Sequence, residues 1–175
     1  MRTICTPQLS GRTVRDGGRL GKNRVLTVGL LAGLCGGAAE VLWVALYSGA
    51  THTDGMAVAQ QVTASVIPAA AFLTLAPLLG FVIHMLLSVA LGIAFAWAIW
   101  RFLLPTFGAE AIVPVAVVTL VLVWATNFFV VLPVLDPAFV TLMPYGVTLF
   151  SKVLFGITMG WVVQETAQPQ PSRSL

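Results

Sequence analysis

Apolar residues run through four long stretches of the chain, and each is long enough for a membrane-spanning helix, which needs roughly 20 mostly apolar residues. The first covers 25–48, with Glu40 as its only charge. The second apolar block, 69–100, is longer than one perpendicular span, and Pro77 divides it into a lead-in and a helix over 77–100 that ends at Trp100 and Arg101. The third covers 111–132, with Pro114 in its first turn, where a missing N–H costs little, and Pro133 as its stop. The fourth covers 141–163. The chain then turns polar at Gln164, and the tail 164–175, with Pro169, Pro171 and Arg173, is expected to be disordered.

One sizeable segment outside the spans joins the first two. Asp54 can cap a short helix over 55–67 ended by Pro68, with Met56, Ala59, Val62 and Val66 on one face and Gln60, Gln61 and Thr63 elsewhere. The expected position is along the outer interface, and a re-entrant loop is the alternative.

Composition changes the solvent. With 58% apolar and 9% charged residues the chain has too little polar surface to cover a compact fold, so lipid must cover much of it. Soluble enzymes, nucleic-acid binders and secreted disulfide scaffolds are set aside, and Cys5 and Cys35 offer neither a metal spacing nor a bridge. The expected fold is an all-α integral membrane protein, a four-transmembrane-helix bundle spanning 25–163. The first apolar run is too long for a signal-peptide core and is read as a permanent helix.

Charge sets the orientation. Arg2, Arg12, Arg15, Arg19, Lys22 and Arg24 precede the first span, Arg101 follows the second and Arg173 the fourth, whereas 49–76 and 133–140 contain no Lys or Arg. Cytoplasmic loops are enriched in these residues, so both termini are expected in the cytoplasm, with 1–24 as a basic arm, in a multi-pass protein of the inner cell membrane. Trp100 and Trp161 near the inner ends, and Tyr47 and Tyr145 near the outer ends, fit aromatic belts.

Gly29, Gly33 and Gly37 recur every fourth residue in the first span, as do Gly156 and Gly160 in the fourth, and such small-residue ridges let helix backbones approach closely. Gly80, His84, Ser88 and Gly92 also match the spacing of Thr148, Lys152, Gly156 and Gly160, a pattern that an ancient duplication of a two-helix unit would leave.

Candidate chemistry lies in the polar residues inside the spans. An ionisable group near the bilayer centre costs about 2.5–3.5 kcal/mol on insertion scales and usually faces a partner or a cavity. Each helix carries one such polar residue, and at about 1.5 Å per residue Glu40, His84, Asn127 and Lys152 all lie about 9–12 Å inside the outer ends. A shared cluster is expected, with Glu40 and Lys152 as an ion pair, His84 bridging or titrating, Asn127 donating and accepting, and Ser88, Ser151, Thr148 and Thr126 within a turn. The four residues and Ser88 are candidate ligands for a proton, an ion or a small polar solute.

No catalytic set accompanies them, so the chain is not read as an enzyme. Asp54, Glu110 and Asp136 read as caps and turn residues. No cofactor is expected, since haem held by two histidines needs a second intramembrane His and His52 lies outside the spans. Two functional classes remain: a small transport or conduction unit, expected to be a homo-oligomer, and a non-catalytic accessory subunit whose cluster fixes packing beside other membrane subunits.

Overall fold

The computed structural model describes residues 21–51 and 53–167, and these fold into helices joined by short turns. Cys5, His52, nearly all of the basic arm and the final residues 168–175 lie outside them. We number the elements α1 (Lys22–Thr51), α2 (Gly55–Val66), α3 (Ala76–Phe107), α4 (Ala109–Leu135), α5 (Pro137–Leu142) and α6 (Tyr145–Ala167). α1, α3, α4 and α6 are long and apolar enough to cross a membrane. Large apolar side chains such as Leu42, Leu46, Leu86, Leu122, Val130 and Trp161 point outward, as lipid-facing helices require.

α1 extends beyond 25–48 at both ends, and α6 runs on to Ala167, four residues into the tail expected to be disordered. Three further ends depart from the sequence expectation near a proline. α3 does not stop at Trp100 and Arg101, and α4 continues past Pro133. Both helices pass through a π turn, Ile99–Leu103 and Asn127–Val131, placed two residues before Pro105 and Pro133. A proline ring clashes with the carbonyl four residues earlier, here Arg101 or Phe129 inside those turns. The wider π turn moves that carbonyl aside and lets the helix run on. Pro144 acts in the opposite way: it holds Met143 extended at φ −136° and ψ 148°, so 137–142 forms the separate α5 and the fourth span starts at Tyr145 rather than at 141.

α1 is the central helix, packed against both α3 and α6, while α4 packs on α6. Gly29 and Gly33 face the backbone of Ser88, Gly92 and Ile93 so closely that neither has room for a Cβ. Gly37 meets the side chains of Ser88 and Met85, and Gly36 lies under the Phe155 ring of α6. On the other side of the bundle Gly156 and Gly160 give α6 the same close approach to Ala116, Val117 and Val113 of α4. α1 and α3 are thus joined through glycines of α1 and Gly92 of α3, and α4 and α6 through glycines of α6.

The bundle is closed at one end and open at the other. Val28, Ile99, Ile112, Met159 and Val163 form a continuous buried core where α1 begins and α6 ends. Arg24 donates to the Thr166 carbonyl across that end at 3.3 Å, so the first and last spans meet there. Toward the opposite end α3 and α4 part, and α2 lies across the gap.

α2 is positioned by contacts that its apolar pattern does not show. Asp54 caps it, accepting from the N–H groups of Met56 and Ala57. Its buried residue is Thr63, which donates to the Ala76 carbonyl, and Gly80 of α3 leaves room for the Ala59 carbonyl. Met56 and Val66, assigned to its apolar face from sequence, are exposed.

The glycine crossings give a direct stability test. Gly33→Ala should lower stability against SDS or heat by about 1–3 kcal/mol through overpacking at the α1–α3 crossing. Gly146→Ala, where a Cβ meets nothing within 4 Å, should leave stability unchanged or raise it by up to about 1 kcal/mol.

Candidate functional site

Three of the four polar residues singled out from sequence meet at one point, each carried by a different helix. Glu40 comes from α1, which touches both α3 and α6, so its carboxylate can reach a side chain from each. Lys152 of α6 donates to both carboxylate oxygens, at 2.7 Å to Oε2. His84 of α3 approaches from the other side, with Nε2 3.9 Å from Oε2, too far for a hydrogen bond. That buried nitrogen has no other hydrogen-bond partner. Ser151 Oγ lies 3.2 Å from Glu40 Oε1 and 2.7 Å from the Thr148 carbonyl, so its single proton serves one acceptor at a time.

The electrostatics centre on the carboxylate. Glu40 is only 8% exposed, and a lone carboxylate at that burial would be strongly disfavoured. The bidentate ammonium neutralises it, and the Glu40–Lys152 pair has no net charge. Two of the three Lys152 N–H groups are used on Glu40, which leaves the third without an acceptor among the described residues.

Asn127 does not join the cluster. It sits where the π turn of α4 begins, and its side-chain amide makes no hydrogen bond among the described residues. It lines the same cavity as Glu40, His84 and Lys152, and also a smaller one with Thr119 and Thr126. Ser88 is buried against Gly37 at the α1–α3 crossing and borders the large cavity. Thr148 accepts from the Trp124 indole at 3.0 Å, tying α6 to α4 one turn from Lys152.

The cavity has a volume of about 1010 Å³. Its wall is mostly apolar, with Val44 of α1, Val62 of α2, Leu91 of α3, Val123 and Phe128 of α4 and Phe155 of α6 among the lining residues. Glu40, His84 and Lys152 form its polar floor, and α2 covers the end away from the closed core.

A second polar cluster holds that cover and was not evident from the sequence. Asp136, expected only as a turn residue, does cap α5 through the Phe139 N–H at 3.4 Å. It is also 8% exposed and accepts from Gln61 Nε2 at 2.7 and 2.8 Å and from Ser65 Oγ at 2.8 Å. α2 is therefore latched to the turn between α4 and α5. A lone acid in an otherwise apolar connection was the available signal, but nothing in the spacing named its partners.

The ion pair can be tested by a double-mutant cycle. Glu40→Gln and Lys152→Met should each destabilise the purified protein by about 3–5 kcal/mol, because each strands a buried charge. The double substitution should cost less than either, and additive losses would mean the side chains do not meet. The sequence matches no protein-family model and no curated protein, and the fold matches no solved structure.

Proposed function

We propose that this is a multi-pass protein of the inner cell membrane that binds and passes a solute through the cavity beneath α2, with Glu40, Lys152 and His84 as its polar floor and Ser88 and Asn127 on its walls. The observation that supports this best is that the cluster borders open volume. Polar groups that serve only to join helices are packed on all sides by those helices. Here the Lys152 and His84 side chains are 19% and 21% exposed, and one ammonium N–H is unused. Intramembrane ionisable residues facing a cavity are the usual makings of a pathway.

The accessory-subunit reading needs a surface for a companion. The glycine ridges expected from sequence to offer one, Gly29, Gly33, Gly156 and Gly160, are taken up by contacts within this chain. Native mass spectrometry of the gently extracted protein tests the choice. A bound non-protein mass on a homo-oligomer or single chain is expected, and Val123→Trp should remove that mass without changing the copy number. A stoichiometric foreign subunit with no bound mass would replace this reading with the accessory one.

The proposed orientation puts both termini and the closed end in the cytoplasm and α2 at the outer interface. It rests on the even number of spans and on Arg24 and Arg101 lying toward the closed end, while the connections at the α2 end lack Lys and Arg. With Cys5 and Cys35 changed to serine, Thr53→Cys should react with an impermeant maleimide in intact cells. Glu110→Cys should react only after permeabilisation, and the reverse pattern would invert the topology.

A further inference from the structure

We propose that the ligand of this cavity is a neutral amphiphile: a hydrocarbon chain lying between α3 and α4, ending in a hydroxyl or carbonyl oxygen that meets Lys152 and Asn127. The inference rests on the cavity being a ligand site and names the class of ligand. Three observations lead to it.

The first is volume against wall chemistry. One water molecule accounts for about 30 Å³ of liquid, so an ion or a solute of that size would occupy only a small part of about 1010 Å³. Most of the remainder is lined by valine, leucine and phenylalanine, where water gains few hydrogen bonds and hydrocarbon is favoured, with Ser48, Thr53, Asp54 and Ser65 near α2. The volume lies at the upper end of the range for pockets that enclose drug-sized ligands.

The second is the route in. α3 and α4 share the closed-end core through Ile99 and Ile112 but separate toward α2. Lining side chains on both helices are turned well outward: Leu78 is 58% exposed, Leu87 59% and Leu135 65%. An opening fringed by such residues within the spans admits a chain from the bilayer.

The third is charge. Glu40 and Lys152 neutralise each other, so the floor offers no surplus cation for a carboxylate or phosphate, and an anionic head would face the Glu40 carboxylate. Among the described residues the cavity lining leaves without partners the third N–H of Lys152, the Asn127 amide, His84 Nε2 and, two turns from Glu40, Ser48 Oγ. Lys152 and the Asn127 amide can each donate to a neutral oxygen, and the amide can also accept from a hydroxyl.

The test uses the full chain in lipid nanodiscs with three photoreactive probes that carry a diazirine midway along the chain: a long-chain alcohol, the fatty acid of the same length and the plain alkane. Peptide mapping reads where each one attaches. The alcohol is expected to label the α3 and α4 faces of the cavity in preference to the alkane by roughly three- to tenfold, as one hydrogen bond allows. Asn127→Leu should reduce that preference while the alkane still labels, and Val123→Trp should block all three.

Equal labelling by alcohol and alkane overturns the head-group assignment, and stronger labelling by the fatty acid overturns its neutrality; both leave the cavity reading intact. Label confined to the outer helix faces overturns the amphiphile. If a bound polar mass is then found by native mass spectrometry, the cavity reading survives. If instead a second copy of the chain fills the groove, both fail.

Discussion

A carboxylate placed at membrane depth must have a counter-charge, and the arrangement of this bundle depends on meeting that need at Glu40. The helix that carries it has to lie between the helices that carry Lys152 and His84, which makes α1 central. The glycines of α1 allow this. Gly29, Gly33 and Gly37 bring α3 close on one side, and Gly36 seats the Phe155 ring of α6 on the other. Larger side chains there would separate the backbones and pull the basic groups away from the carboxylate. The packing ridge and the ion pair are therefore two parts of one solution, because lipid supplies no hydrophobic drive to bring the helices together without them.

The same geometry accounts for the asymmetry of the bundle. α1 sits between α3 and α6, and α4 packs mainly on α6, so α3 and α4 have no long contact of their own among the described residues. They close at one end around Ile99 and Ile112 and part at the other. α2 spans the opening, tied to α3 by Thr63 and to the α4–α5 turn by Asp136. Polar groups are thus used at two depths, once to join three spans and once to hold the cover above them.

The four spans could be read from the sequence because a long uncharged apolar run has few other uses, and the shared depth of Glu40, His84 and Lys152 followed from counting residues along straight helices. The count placed Asn127 at the same level but said nothing of its partners, and its amide makes no hydrogen bond to the ion pair, although it lines the same cavity. The ends expected at Trp100 and Pro133 and the start expected at 141 were misplaced because a nearby proline, Pro105, Pro133 or Pro144, can end a helix or be accommodated by a π turn. The choice depends on packing beyond the local sequence. For α2 the apolar stripe misled, since in a lipid setting outward and inward faces are both apolar. The residues that fix it, Thr63, Gln61 and Ser65, are polar.

The separation of Glu40 and Lys152 along the chain has a consequence for biogenesis. The two lie 112 positions apart, so at a synthesis rate of about 5–20 residues per second the first span waits roughly 6–22 s for its counter-ion to emerge. During that interval the carboxyl must be sheltered by proton uptake, by residence near the insertion machinery, or by His84, the first basic side chain to arrive within a later span. The order of synthesis thus makes the α1–α3 hairpin the first unit able to settle in the bilayer, and the last helix locks what that hairpin has begun.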